Sequence, residues 1–138
     1  MKLEFLLPRS KTKPAQNLVI NSNDRFHYQA EGRMVKKLRL IAKAEAGLNT
    51  KPVYSPDKPC KVLVTVYAPT RRRLDPPNLY PTVKAIIDGL TDANLWPDDN
   101  HEVIKMMSFQ YGGLSGESGK FKIVLDIEET LNEKQSKR

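Results

Sequence analysis

One stretch of this chain crowds together the residue types that handle phosphate and hard cations. In RRRLDPPNLYPTVKAIIDGLTDANLWPDDNHEV, from Arg71 to Val103, three consecutive arginines lead to Asp75 and Asn78. Lys84 and Asp88 follow at a spacing of one helical turn, and Asp98 and Asp99 stand side by side. Adjacent carboxylates repel each other, and a bound cation turns that repulsion into affinity. Magnesium takes one or two carboxylates and completes its shell with water and phosphate oxygens. A metal held this way can activate a water and stabilise charge on a departing oxygen, which are the needs of phosphodiester hydrolysis. Guanidinium groups match phosphate as bidentate forks, so the arginines suit the same substrate. Without a metal, Asp75 is a turn residue before proline and Asp98–Asp99 a solvated turn. The Lys84–Asp88 pair is then a surface ion pair of little energetic weight.

These residues need a scaffold. Val83, Ile86, Ile87 and Leu90 recur at helical spacing and predict a helix with one apolar stripe, with Lys84 and Asp88 on its border. Pro81 fits only the first turn, so the helix starts near Leu79 or Tyr80 with Asn78 as its N-cap. Asp75 then lies where the positive end of the helix favours an anion. Pro97 ends any helix before Asp98. About three turns span roughly 15 Å, so the two acidic loops sit at opposite ends unless the Asn94–Asp99 connection folds back. Its length permits that.

Around this unit, Leu3–Pro8 reads as a first strand and Arg9–Asn17 as a basic loop. A long helix is expected from near Asn23 or Asp24, either of which can cap it, with Met34, Leu38, Ile41 and Glu45 on one line and Gly47 as C-cap. NTKPVYSPDKP is a proline-rich loop. CKVLVTVYAP alternates β-branched residues and predicts a central strand. HEVIKMMSFQYG and KFKIVLDIEE predict two more strands, and the spacer GLSGESG suits a hairpin turn between them. The last residues, from about 130 to 138, are polar and expected to fray. The order predicts a single α+β domain with a mixed or antiparallel sheet of about four strands and two main helices.

Composition narrows the partner. The chain has 138 residues, 23 basic and 16 acidic, for a formal charge of +7. That balance favours polyanions, nucleic acid above all. No apolar run approaches the roughly 20 residues of a membrane span, and the N-terminus lacks a signal-peptide core. A cytoplasmic protein with no membrane partner is expected. Cys60 is the sole cysteine, which excludes an intrachain disulfide and a thiolate zinc cluster and suggests a buried small residue. No glycine-rich phosphate loop appears, so no nucleotide cofactor is expected. His27 reads as a packed or surface histidine, His101 as a weaker candidate for ligand or base, and Trp96 as a core or interface anchor.

The segment Arg71–Val103 resembles the RusA family of Holliday junction resolvases, small dimeric endonucleases often carried by prophages. The family pattern is an arginine-flanked Asp-x-Asp-Asn loop, a helix with a lysine and an aspartate four residues on, and a later Asp-Asp. KAIIDGL followed by LWPDDNHEV is similar in spacing and character: Lys84, Asp88 and Asp99 match without a gap, with Asp98 beside the last. The upstream loop departs. Counted back from Lys84 without a gap, Asn78 and Tyr80 fall where the loop aspartates stand. With a shift, Asp75 falls on the first aspartate, Pro77 on the second and Asn78 on the asparagine. Either way the placement lacks at least one carboxylate of the pattern.

The resemblance implies an α+β homodimer that cleaves four-way DNA junctions symmetrically with Mg2+, Mn2+ being a possible substitute, in DNA recombination and repair. It implies Asp75 and Asp99 as metal ligands, with Asp98 either a further ligand or a support for Asp99. Asn78 would bind the metal or orient Asp75. Lys84 would contact the phosphate or position water, and Asp88 would orient Lys84. Arg71, Arg72, Arg73, Lys84, Lys36 and Lys37 are the expected DNA contacts, with Arg9, Lys11 and Lys13 extending the footprint. A prokaryotic or phage-encoded, nucleoid-associated protein follows. The shortened carboxylate set keeps two alternatives open: a catalytically weakened relative that only binds branched DNA, and a metal nuclease with another DNA substrate.

Overall fold

A computed structural model describes residues 1–131. The expected frayed tail lies, from residue 132 onward, outside the described residues. The chain forms one α+β domain: β1 (Lys2–Pro8), α1 (Tyr28–Ala46), β2 (Cys60–Ala68), α2 (Tyr80–Asp92), β3 (Ile104–Leu114) and β4 (Lys120–Glu129). The four strands make one mixed sheet in the order β1-β4-β2-β3. One sheet face carries Leu3, Phe5, Leu7, Val62, Val64, Val66, Ile123, Leu125 and Ile127 into a core completed by Met34 and Leu38 of α1 and the stripe of α2. Among the described residues no helix is long and apolar enough to cross a membrane.

The strand order corrects the expected hairpin. β3 and β4 do not pair; β2 lies between them, parallel to β3 and antiparallel to β4. β4 also pairs with β1, so β2 and β4 are the two interior strands. Burial explains the choice. β4 buries Ile123, Leu125 and Ile127 on its core face and Val124 on the other, and it is hydrogen-bonded along both edges. β3 has no fully buried residue and takes the edge. Residues 115–119 therefore cross the end of β2, tied there by Ser115 N–H to the Ala68 carbonyl at 2.8 Å. Two strand spacings are about 9.6 Å, well within reach of the connection. Parallel pairing of β2 and β3 demands a crossover, and α2 supplies it.

The start of α1 is also corrected. Helix geometry begins at Tyr28, not near Asn23 or Asp24. Asp24 is engaged elsewhere: it accepts from Arg9 at 2.7 and 2.9 Å and from the Asn21 amide at 2.9 Å. His27 caps the helix instead, its Nδ1 accepting from Gln29 N–H at 3.2 Å. The expected line of Met34, Leu38, Ile41 and Glu45 becomes Met34, Leu38 and Ala42, with Ile41 37% exposed. The shift follows from how the helices meet. Gly89 of α2 lies so close to α1 that a Cβ there would stand 2.4 Å from the Arg39 carbonyl oxygen and 2.7 Å from the Ala42 Cβ. Only small residues fit that crossing. Gly47 closes α1 as expected, with φ of 72° and its N–H on the Lys43 carbonyl at 3.0 Å.

Two stability predictions follow. Gly89→Ala should lose about 1–3 kcal/mol through overpacking, although alanine gains up to ~1 kcal/mol in helix propensity. Urea midpoints test this, and an unchanged or higher midpoint would contradict the close crossing. For Asp24, burial pushes the carboxyl up, but the Arg9 guanidinium and the Asn21 amide outweigh it and hold it below the usual range. A carboxyl lowered by folding stabilises above its unfolded value of ~3.9, and that contribution is lost as pH falls through the folded value. Asp24→Asn should cost roughly 1.5–3 kcal/mol at neutral pH. The gap to wild type should shrink toward about pH 2 in thermal melts; a gap independent of pH would contradict the ion pair's role.

Candidate active site

α2 presents its site residues because most of it is buried. Thr82, Val83, Ala85, Ile86, Ile87, Gly89 and Leu90 all face the interior, which fixes the helix's rotation. Thr82 reinforces this: its hydroxyl accepts from Ile20 N–H at 2.7 Å and donates to the Ile20 carbonyl at 2.8 Å. Lys84 and Asp88 are left on the rim, as the stripe predicted.

The chain does fold back after α2. Asn94 adopts a left-handed conformation with φ of 58°, one of the few non-glycine residues suited to it. Leu95 N–H reaches the Leu90 carbonyl at 3.1 Å and Asn94 N–H the Thr91 carbonyl at 2.9 Å, closing the helix with a Schellman-type reversal. Leu95 and Trp96 then plunge into the core, and the Trp96 indole N–H donates to the Thr91 hydroxyl at 2.8 Å. Trp96 is thus a core anchor. The turn that follows is held by its own side chains: Asp98 accepts from Asp99 N–H at 2.8 Å, and Asn100 accepts from Glu102 N–H at 2.9 Å.

The reversal brings Asp99 to Lys84. The Lys84 ammonium donates to Asp88 Oδ1 and to Asp99 Oδ2, each at 2.7 Å. Lys84 is 44% exposed and Asp99 22%, so the cluster sits at a rim open to solvent. Asp88 and Asp99 together drive the lysine pKa up. Burial pushes the Asp99 carboxyl up, yet the Lys84 hydrogen bond and charge prevail and hold it below the usual range. Beside the cluster lies a pocket of about 270 Å3, lined by Tyr80, Lys84 and Ile87 of α2, by Asp99 and His101, and by residues 104–107 of β3. His101 therefore lines this pocket. Tyr80 is 47% exposed and meets Phe109 edge-on, ring centroids 6.4 Å apart.

The other expected residues lie apart from this cluster. Asp75 precedes a short 3-10 turn (Pro76–Leu79), and its carboxylate is 4.0 Å from Arg73. Asn78 is not the N-cap of α2. It sits inside the 3-10 turn, its N–H on the Asp75 carbonyl at 2.9 Å and its carbonyl accepting from Ser22 at 2.7 Å. The turn runs directly into α2, with Tyr80 N–H on the Pro77 carbonyl, so a side-chain cap has no place. Arg71, Arg72 and Arg73 are exposed on the loop after β2. Lys36 is exposed on α1, and Lys37 borders a separate groove with Phe26, Arg33 and Met34. Cys60 is buried, which pushes its thiol up to about 11 and suits packing over nucleophilic work.

The donor set fits a hard cation only in part. Among the described residues no three His, Cys, Asp or Glu side chains gather as a metal-holding group, so Asp75, Asp98 and Asp99 do not form one. Two carboxylates, Asp88 and Asp99, do flank the Lys84 ammonium, each accepting from it through one oxygen, so a metal would be held through their other oxygens. That is the number magnesium takes when phosphate oxygens and water complete its shell. The chain matches no protein-family model, and no curated protein matches it.

Proposed function

We propose that this chain is a magnesium-dependent, structure-selective endodeoxyribonuclease that resolves Holliday junctions in the cytoplasm during DNA recombination and repair. The observation that carries this reading is the Lys84 ammonium, held at 2.7 Å between Asp88 and Asp99 on the wall of an open pocket. The resemblance of Arg71–Val103 to the RusA family supports the choice of substrate.

An ammonium has three N–H donors. Two are taken by Asp88 and Asp99, and the third is available to a phosphoryl oxygen or an attacking water. The carboxylates fix the ammonium's position, so it meets developing negative charge without reorganising. Asp99, with Asp88 or Asp98 beside it, would hold magnesium. When bound, magnesium polarises the phosphoryl oxygen and lowers the pKa of a water. Arg71, Arg72 and Arg73 would grip neighbouring phosphates, and Asp75 would steady Arg73. A four-way junction needs two matched cuts, and a two-fold homodimer supplies them.

A second reading is a protein that binds branched DNA without cutting it. The absence of a three-carboxylate group among the described residues favours it. Cleavage of a synthetic four-way junction in magnesium, manganese and EDTA separates the two, with linear duplex as control. The nuclease reading expects paired symmetric nicks that require metal and fall at least about 100-fold in Asp99→Asn. Tight junction binding with no cutting in either metal would overturn it and leave the binding protein.

A further inference from the structure

Most of the chain's positive charge lies outside the Lys84 pocket, and the arginine loop shares a cavity with part of it. A second cavity, of about 360 Å3, opens where the ends of β1, β2 and β4 meet the arginine loop, and it shares no lining residue with the first. Arg9, Lys11, Arg72 and Arg73 line it, and no carboxylate does. Arg9 is a fixed cation there, bound to both Asp24 oxygens and to the Val19 carbonyl at 2.8 Å. Neither Lys11 nor Arg72 forms a salt bridge among the described residues. Leu74 and Phe121 add apolar surface between the cations.

Cations around an apolar floor complement a sugar–phosphate chain, which offers anionic oxygens and apolar sugar faces in alternation. We infer that this cavity holds the backbone of one DNA strand, as a second phosphate site apart from the place of cutting. The inference takes its partner from the nuclease reading. The contacts are to phosphate, so they position DNA without reading its sequence. The two pockets are joined along the chain. The loop bearing Arg72 and Arg73 continues through Asp75 and the 3-10 turn to Tyr80 and Lys84, which line the first pocket. Ala68 lines the second cavity, whereas residues 104–107, paired with residues 60–62, line the first, so the two lie toward opposite ends of β2.

The test is fluorescence anisotropy of a labelled four-way junction, titrated with full-length protein at several salt concentrations in EDTA. Lys11→Glu/Arg72→Glu and its neutral counterpart Lys11→Gln/Arg72→Gln are compared with wild type. Both positions are exposed, and Arg9 is spared because it is part of the fold. The control, Lys2→Glu/Lys58→Glu, makes the same charge change at exposed lysines that line neither cavity. The neutral double variant should raise Kd at least about 10-fold and lower the log–log salt slope by about 2, with the reversal larger and the control under about threefold. Wild-type affinity in both cavity variants, or equal loss in the control, overturns the second site. Binding lost in the cavity variants while wild type never cuts would sustain the cavity and reject the nuclease. Metal-dependent cutting with unaltered Kd in the cavity variants would do the reverse. No binding by wild type would overturn both.

Discussion

The burial of α2 is the constraint from which the site follows. A helix wedged between a sheet and a second helix cannot rotate, and here three features lock it. The apolar stripe faces the core, Thr82 is tied to both the N–H and the carbonyl of Ile20, and Gly89 allows α1 to pack against the α2 backbone. Lys84 and Asp88 are on the rim because every other angular position is taken. The reversal at Asn94 then returns the chain past the flank of α2 and delivers Asp99 before β3 joins β2 in parallel.

The cluster so formed is better understood as positioning than as stability. Lys84 is nearly half exposed, so solvent screens its two ion pairs, and such pairs contribute little to folding. Their worth is geometric. An ammonium bound to two carboxylates has one direction left in which to donate, and its charge stands beside a pocket rather than in bulk water. Trp96 has a comparable role at a distance: its burial and its bond to Thr91 pin the return loop that carries Asp98 and Asp99.

Much of this was legible in the sequence because periodicity reports burial. The stripe of Val83, Ile86, Ile87 and Leu90, the β-branched alternation of β2 and the cap at Gly47 all encode a local environment, and each is found where the pattern puts it. What was not legible depends on partners distant in sequence. The spacer after β3 reads as a hairpin locally, yet β4 pairs with β2 and with β1, both distant in sequence, and the spacer crosses β2 instead. Asp24 looks like a cap until Arg9 claims it. Ala42 carries no strong hydrophobic signal, but Gly89 opposite makes it the contact residue. At the site, the Lys84–Asp88 pair was readable from spacing, whereas the arrival of Asp99 depends on the left-handed turn at Asn94. The set Asp75, Asp98 and Asp99, taken from the family resemblance, is not gathered into one group, and the carboxylate facing Asp99 across the lysine is Asp88.

The central claim is that the clamped Lys84 ammonium acts on the phosphate being cut. Single-turnover cleavage of a four-way junction by Lys84→Met, measured beside its junction Kd, tests it most directly. The account expects a rate lower by about 100- to 1,000-fold with Kd changed by less than about threefold, since other cations carry most of the backbone binding. Cutting near the wild-type rate would contradict it and leave the Lys84 cluster an ordinary surface network.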